Sequence, residues 1–170
     1  MVDAVTLIQL GLRWLHFVGG FLWLGALFFL AVVLSPSISH LAINQRIAIL
    51  QKLAPRLSHV LIASSVANVI AGVSMALLLS NLRTDIFLGS KWGLAILSGG
   101  LVALMVLVIT AAIILPALER YSPDPETGAP LDLSENESQY LEARLKQWSG
   151  LGAGLGVAVL FLMALAVSPI

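Results

Sequence analysis

Arg13-Trp14-Leu15-His16-Phe17-Val18-Gly19-Gly20-Phe21-Leu22-Trp23-Leu24-Gly25-Ala26 is the stretch on which the reading of this chain turns. It belongs to an apolar run from about Val5 to Leu34, longer than the roughly 20 residues needed to cross a bilayer. An arginine is costly at mid-membrane, so Arg13 is placed at the interface, with Trp14 at the level of an aromatic belt. Residues 14–34 then span, and 4–13 form a helical lead-in near the surface. His16 is left inside the hydrophobic layer, where an imidazole needs a buried partner or an iron.

The rest of the composition agrees with a membrane location. The 170 residues are 59% hydrophobic and 11% charged, with a mean hydropathy of +0.99. A soluble domain could not cover that much apolar surface. The formal net charge of +0 gives no basic field for nucleic acid. Cysteine is absent, which removes disulfides, iron–sulfur clusters and thiolate metal sites. Met1-Val2-Asp3-Ala4 lacks the basic start of a cleavable signal, so the first apolar run is expected to be retained.

Working outward, Ser35-Pro36-Ser37 reads as a helix break, with Ser39 able to cap the next helix. From His40 to Leu53, apolar residues at three- and four-residue spacing alternate with Asn44, Arg46 and Lys52, an amphipathic surface helix. Pro55 suits the first turn of a second span over about 57–79. Its residues Ser58, Ser65, Asn68, Gly72, Met75 and Ala76 share one face, with Ser64 at the margin, as helices packing in lipid require. A polar turn over 80–90 carries Arg83 and Asp85, and a third span covers about 91–115 and stops at Pro116.

The segment 116–147 has the character of a soluble loop. Ser134 followed by Glu137 is a capping-box signature that opens a helix leading towards the fourth span, about 149–167. Gly150 and Gly154, and Gly152 and Gly156, have the small-xxx-small spacing of close helix contacts. The expected fold is an all-α membrane protein, a four-transmembrane-helix up-down bundle with short amphipathic surface helices. Six basic residues (Arg46, Lys52, Arg56, Arg120, Arg144, Lys146) lie on the side of 35–56 and 116–147, against three (Arg13, Arg83, Lys91) on the other. That asymmetry places the two loops in the cytoplasm and both termini outside, in the inner (plasma) membrane.

Chemistry in such a chain centres on His16. It shares a helix face with Gly20 and Trp23, and the glycines leave room for a flat group or a close neighbour. One reading makes His16 an axial haem ligand with Trp23 lining the ring. The other makes it a neutral histidine bonded to a serine or a carbonyl on another helix. His59 is not expected to be a second ligand. His16 lies about 27 Å from the far end of its span, so the two rings are separated by roughly the membrane thickness. Groups nearer the depth of His16 are Met75, Met163, Lys91 at the start of the third span, and Arg13 one turn away, which could contact a propionate or a substrate. Asn68 near mid-span needs a helix–helix partner. No carboxylate lies within a span to relay protons.

His16, Trp23 and Gly25 in the first span resemble the pattern of the CopD-like (copper-resistance protein D) superfamily and of the related HemJ-type membrane proteins. Arg56-Leu57-Ser58-His59 followed by Gly72, and Ser90-Lys91-Trp92-Gly93-Leu94, are similar to that superfamily's second- and third-helix entries. The resemblance covers about residues 12–115. It implies a small helical bundle that binds haem b, with His16 in haem binding and Lys91 functionally important. Just after the first span this chain carries Ala31-Val32-Val33-Leu34-Ser35-Pro36, where HemJ-type enzymes carry tyrosine, arginine and histidine. The function expected is therefore haem-b-dependent electron transfer or oxidation, alone or as a subunit of a larger complex. Two alternatives stay open: a copper-handling or other small-solute transporter without haem, and a structural subunit. In the latter the glycine-rich fourth helix would pack on a partner or on a second copy.

Overall fold

The computed structural model describes residues 3–79, 89–124, 126–129 and 132–167, with backbone alone at 79 and 165–167. The expected turn with Arg83 and Asp85 lies outside the described residues. Four long helices account for nearly all of the rest, and each is long and apolar enough to cross a membrane. They are α1 (Ala4–Ile38), α2 (Ile43–Leu79), α3 (Lys91–Glu119) and α4 (Glu135–Val167). No strand occurs among the described residues. The protein is an all-α membrane bundle.

Three of the helices are longer than the sequence pattern implies, for differing physical reasons, while α4 runs on from the Ser134 cap as expected. The lead-in 4–13 is not a separate element. Asp3 accepts a hydrogen bond from the Thr6 amide at 2.7 Å, and no breaker follows, so α1 runs unbroken from its cap. The surface helix 40–53 and the second span are also one helix, with Pro55 in its interior. Proline removes one backbone bond, but Leu50, Ala54 and Leu61 on either side are buried and hold the helix through it.

Pro36 and Pro116 do not end their helices either, and the two cases match. A π-helical segment, Phe29–Leu34 in α1 and Thr110–Ile114 in α3, lies just before each proline. The wider turn gives the pyrrolidine ring room that a regular α-turn would deny it. Backbone bonds of the π type follow, from the Ser35 amide to the Leu30 carbonyl and from the Leu115 amide to the Thr110 carbonyl. The Ser35 hydroxyl also donates to the Leu30 carbonyl at 2.7 Å. Gly19-Gly20 and Gly99-Gly100 precede these prolines at the same spacing, so α1 and α3 are built on one plan.

The large buried side chains collect at one end. Trp23, Leu27 and Leu30 of α1 meet Leu50 and Leu61 of α2, Val106 and Leu118 of α3, and Leu141 and Leu145 of α4. The Trp23 indole donates to the Thr110 hydroxyl at 3.2 Å, and Thr110 in turn donates to the Val106 carbonyl. In the other half, which contains His16, the buried positions include Gly19, Ser64, Ser65, Asn68, Ala71, Gly93, Gly99 and Gly156. Small residues bring the helices close there.

A polar network locks the packed end. The Arg46 Nη1 of α2 donates to Glu142 of α4 at 2.7 Å, with both side chains mostly buried. The other Glu142 oxygen accepts from the Ser138 hydroxyl at 3.2 Å. Tyr121, just past α3, is fully buried and donates to the Ser138 carbonyl at 3.1 Å. Segment 116–147 is thus only partly a loop. Its first residues finish α3, and Glu135 onward begins α4, with Ser134 accepting from the Glu137 amide as a capping residue.

Burial pushes the Tyr121 hydroxyl up to about 12, with Glu142 adding to the shift and the Ser138 bond opposing it. The unfolded chain ionises a tyrosine near pH 10 and the folded chain later, so stability holds below about pH 10 and falls as pH rises towards 12. Tyr121→Phe should abolish that alkaline loss, at a cost of about 1 kcal/mol at neutral pH for the hydrogen bond. Melting of the detergent-solubilised protein across pH, alongside tyrosinate absorbance, checks both.

Candidate functional site

His16, Gly19 and Gly20 lie three and four residues apart on α1 and form one face. On α2 the matching face is Ser64, Asn68 and Gly72, again one turn apart. The two faces meet closely. A Cβ on Gly19 would stand 3.0 Å from both the Ser64 carbonyl oxygen and the Asn68 amide nitrogen, so only glycine fits there. A Cβ on Gly20 would stand 3.0 Å from the Asn68 Oδ1. The serines donate within their own helix, Ser64 to the Val60 carbonyl and Ser65 to the Ile62 carbonyl, so they contribute smallness rather than cross-helix bonds.

The imidazole reaches into this seam. His16 Nδ1 lies 2.9 Å from the backbone carbonyl oxygen of Asn68. A carbonyl can only accept, so Nδ1 carries a proton, and in the neutral ring the lone pair is on Nε2. Gly72 makes the contact feasible, since a Cβ there would sit 2.9 Å from the ring's Cε1. Asn68 is itself buried, and its Oδ1 has no hydrogen-bond partner. The site therefore combines an oriented imidazole, one unfilled acceptor on the ring and one unpaired amide oxygen.

The other candidates lie elsewhere. Trp23 is committed to Thr110 in the packed core, whereas His16 is committed to α2, so the indole and the imidazole serve different seams. Arg13 is exposed one turn before His16. Lys91 is exposed at the first turn of α3, whose cap Ser90 accepts from the Gly93 amide at 3.0 Å. Met75 is half-buried, one turn beyond Gly72 on α2. The Met163 methyl lies in the notch left by Gly99 and packs α4 on α3. Gly152 and Gly156 receive Leu27 and Leu24 of α1, so half of the α4 glycine pattern is used inside the bundle. Gly150 and Gly154 stay exposed.

His59 is exposed, with Nδ1 against the Pro55 carbonyl of its own helix. The separation of the two histidines is smaller than the sequence arithmetic implies, because α2 continues well below His59. Counting from Asn68, which is level with His16, the offset along α2 is about 14 Å. That distance still prevents both rings from flanking one iron. His40 is exposed in the turn after α1, and no cluster of three metal-ligating residues occurs among the described residues.

Sequence reasoning placed Asn68 and Gly72 on a packing face but did not connect them to His16. The available signal was the pairing of a Gly-Gly step beside the histidine with a small-residue face on the next helix. No family model matches the chain, and neither the curated proteins nor the solved structures contain a match.

Gly72→Ala should push the imidazole off the Asn68 carbonyl and destabilise the bundle by about 1–3 kcal/mol. Gly100→Ala, where a Cβ would meet nothing within 4 Å, should leave stability unchanged or slightly raised. Thermal unfolding of the two variants in one detergent decides the comparison.

Proposed function

We propose that the protein is a haem-b-binding integral membrane protein that serves electron transfer or oxidation, with His16 Nε2 as the axial ligand. This reading builds on the Nδ1 bond from His16 to the Asn68 carbonyl, the bond a purely packing histidine also makes, because it leaves Nε2 as the ring nitrogen that could meet a metal. A metal-ligating histidine typically donates its second ring N–H to a carbonyl or carboxylate, which fixes the tautomer and raises the basicity of the ligating nitrogen. The donor set also suits iron better than copper(I). It offers imidazole, and the chain contains no cysteine and only dispersed methionines.

Within this reading, α2 holds the imidazole in place through Asn68, and Gly20 and Gly72 let the two helices approach closely enough for that bond. Arg13 and Lys91, at the same end, would contact propionates or substrate, and Met75 is the nearest soft side chain on α2. Trp23 would support the site from below by fixing α1 against α3. Bound haem would supply one-electron chemistry. The likeness of the first three spans to CopD-like and HemJ-type proteins points the same way, and the residues at 31–36 keep the proposal at the level of class. The excess of basic residues at the Arg46 end puts that end in the cytoplasm, in a plasma membrane. The outward Gly150 and Gly154 offer a surface for a partner subunit or a second copy.

Protein purified from haem-replete cells should show a Soret band and reducible α/β bands. His16→Ala should lose them while keeping its helical circular dichroism. A folded, colourless wild-type preparation would overturn the proposal.

A further inference from the structure

The packed end of the bundle carries a cavity of about 220 Å³. Its floor is apolar, with Leu30, Leu34 and Ile38 of α1 facing Leu50 of α2 and Leu145 of α4. Its mouth is polar and contains Arg46, Lys146, Gln139 and Glu142. The walls come from the end of α1 and the starts of α2 and α4. The cavity therefore lies at the end of the bundle where a spanning helix leaves the hydrocarbon, with buried core side chains at its floor and charged side chains at its rim.

Charge decides what such a site accepts. Two cations stand against one carboxylate, and that carboxylate is already engaged, with one oxygen on Arg46 Nη1 and the other on the Ser138 hydroxyl. Lys146 is exposed at the mouth. Arg46 Nε is buried and has no hydrogen-bond partner. An unpaired donor on a guanidinium is an incomplete arrangement, and a phosphate oxygen is the acceptor that fork geometry matches best. Neither hydroxyl at the rim competes for this role, because Ser35 donates to the Leu30 carbonyl and Ser39 to the Pro36 carbonyl.

We propose that this cavity binds the phosphodiester headgroup of an anionic phospholipid from the surrounding leaflet. Arg46 and Lys146 hold the phosphate, and the leucine floor takes the glycerol and the first acyl carbons. A soluble phosphate would satisfy the two cations but leave the apolar floor empty, so the amphipathic lining favours the lipid. The site lies at the opposite end of the bundle from His16 and does not depend on the haem reading.

The test uses the full chain in a zwitterionic detergent, with native mass spectrometry and melting temperature as readouts. Phosphatidylglycerol should be retained and should raise the melting temperature more than phosphatidylcholine or inorganic phosphate does. Lys146→Gln should weaken phosphatidylglycerol binding about fivefold. Arg46→Lys, which keeps the charge facing Glu142 but loses the fork, should weaken it as well. Lys52→Gln, at the same end but outside the cavity, should have no effect. Equal losses in all three variants would mean unspecific surface attraction and overturn the proposal. Binding of inorganic phosphate with the same variant sensitivity, and no preference for phosphatidylglycerol, would overturn it too.

Discussion

In lipid a polar group has no water to bond with, and that constraint explains the placement of each polar side chain in the spans. Ser64 and Ser65 turn back on their own helix. Thr110 does the same and also accepts the Trp23 indole. His16 cannot satisfy itself locally and reaches for the Asn68 carbonyl. The helices are brought together to make these bonds, and the glycines occupy the positions where the backbones or rings must approach. Ser58 Oγ and Asn68 Oδ1 are exceptions, both buried on α2 without a partner.

The two ends of the bundle consequently do different work. The Arg46 end has the aromatic and leucine core, the Tyr121–Ser138–Glu142–Arg46 network and the π-segments that carry α1 and α3 past their prolines. Its rigidity comes from long-range contacts among all four helices. The His16 end is held by close seams, α1 on α2, α3 on α4 and α4 on α1 at Gly156, closed by small residues.

The likeness of α1 to α3 adds to this picture. Each has a Gly-Gly step, then a π-segment, then a proline at the same spacing. Only α1 has a histidine and a tryptophan on that frame. Ile96 and Ala103 stand at the corresponding positions of α3. The histidine that bonds across to α2 is thus found on one of two similar frames.

The sequence alone determined the number of spans, their up-down order and the apolar class of the protein, because bilayer thickness and hydropathy act locally and additively. It also placed Ser58, Ser65, Asn68 and Gly72 on one face, since helical periodicity needs no knowledge of the neighbour. Helix ends were another matter. Pro36, Pro55 and Pro116 each read as a boundary, yet each is passed, because burial of flanking leucines and a change to π geometry outweigh a lost backbone bond. The partner of His16, the commitment of Trp23 to Thr110 and the Arg46–Glu142 pair join residues far apart in the chain. Such pairings depend on how helices rotate against one another, which the close approaches at Gly19, Gly72 and Gly156 set only once the bundle has formed. His16 stands out in the sequence, but only the tertiary structure showed that its Nδ1 is engaged, and by the Asn68 carbonyl of α2.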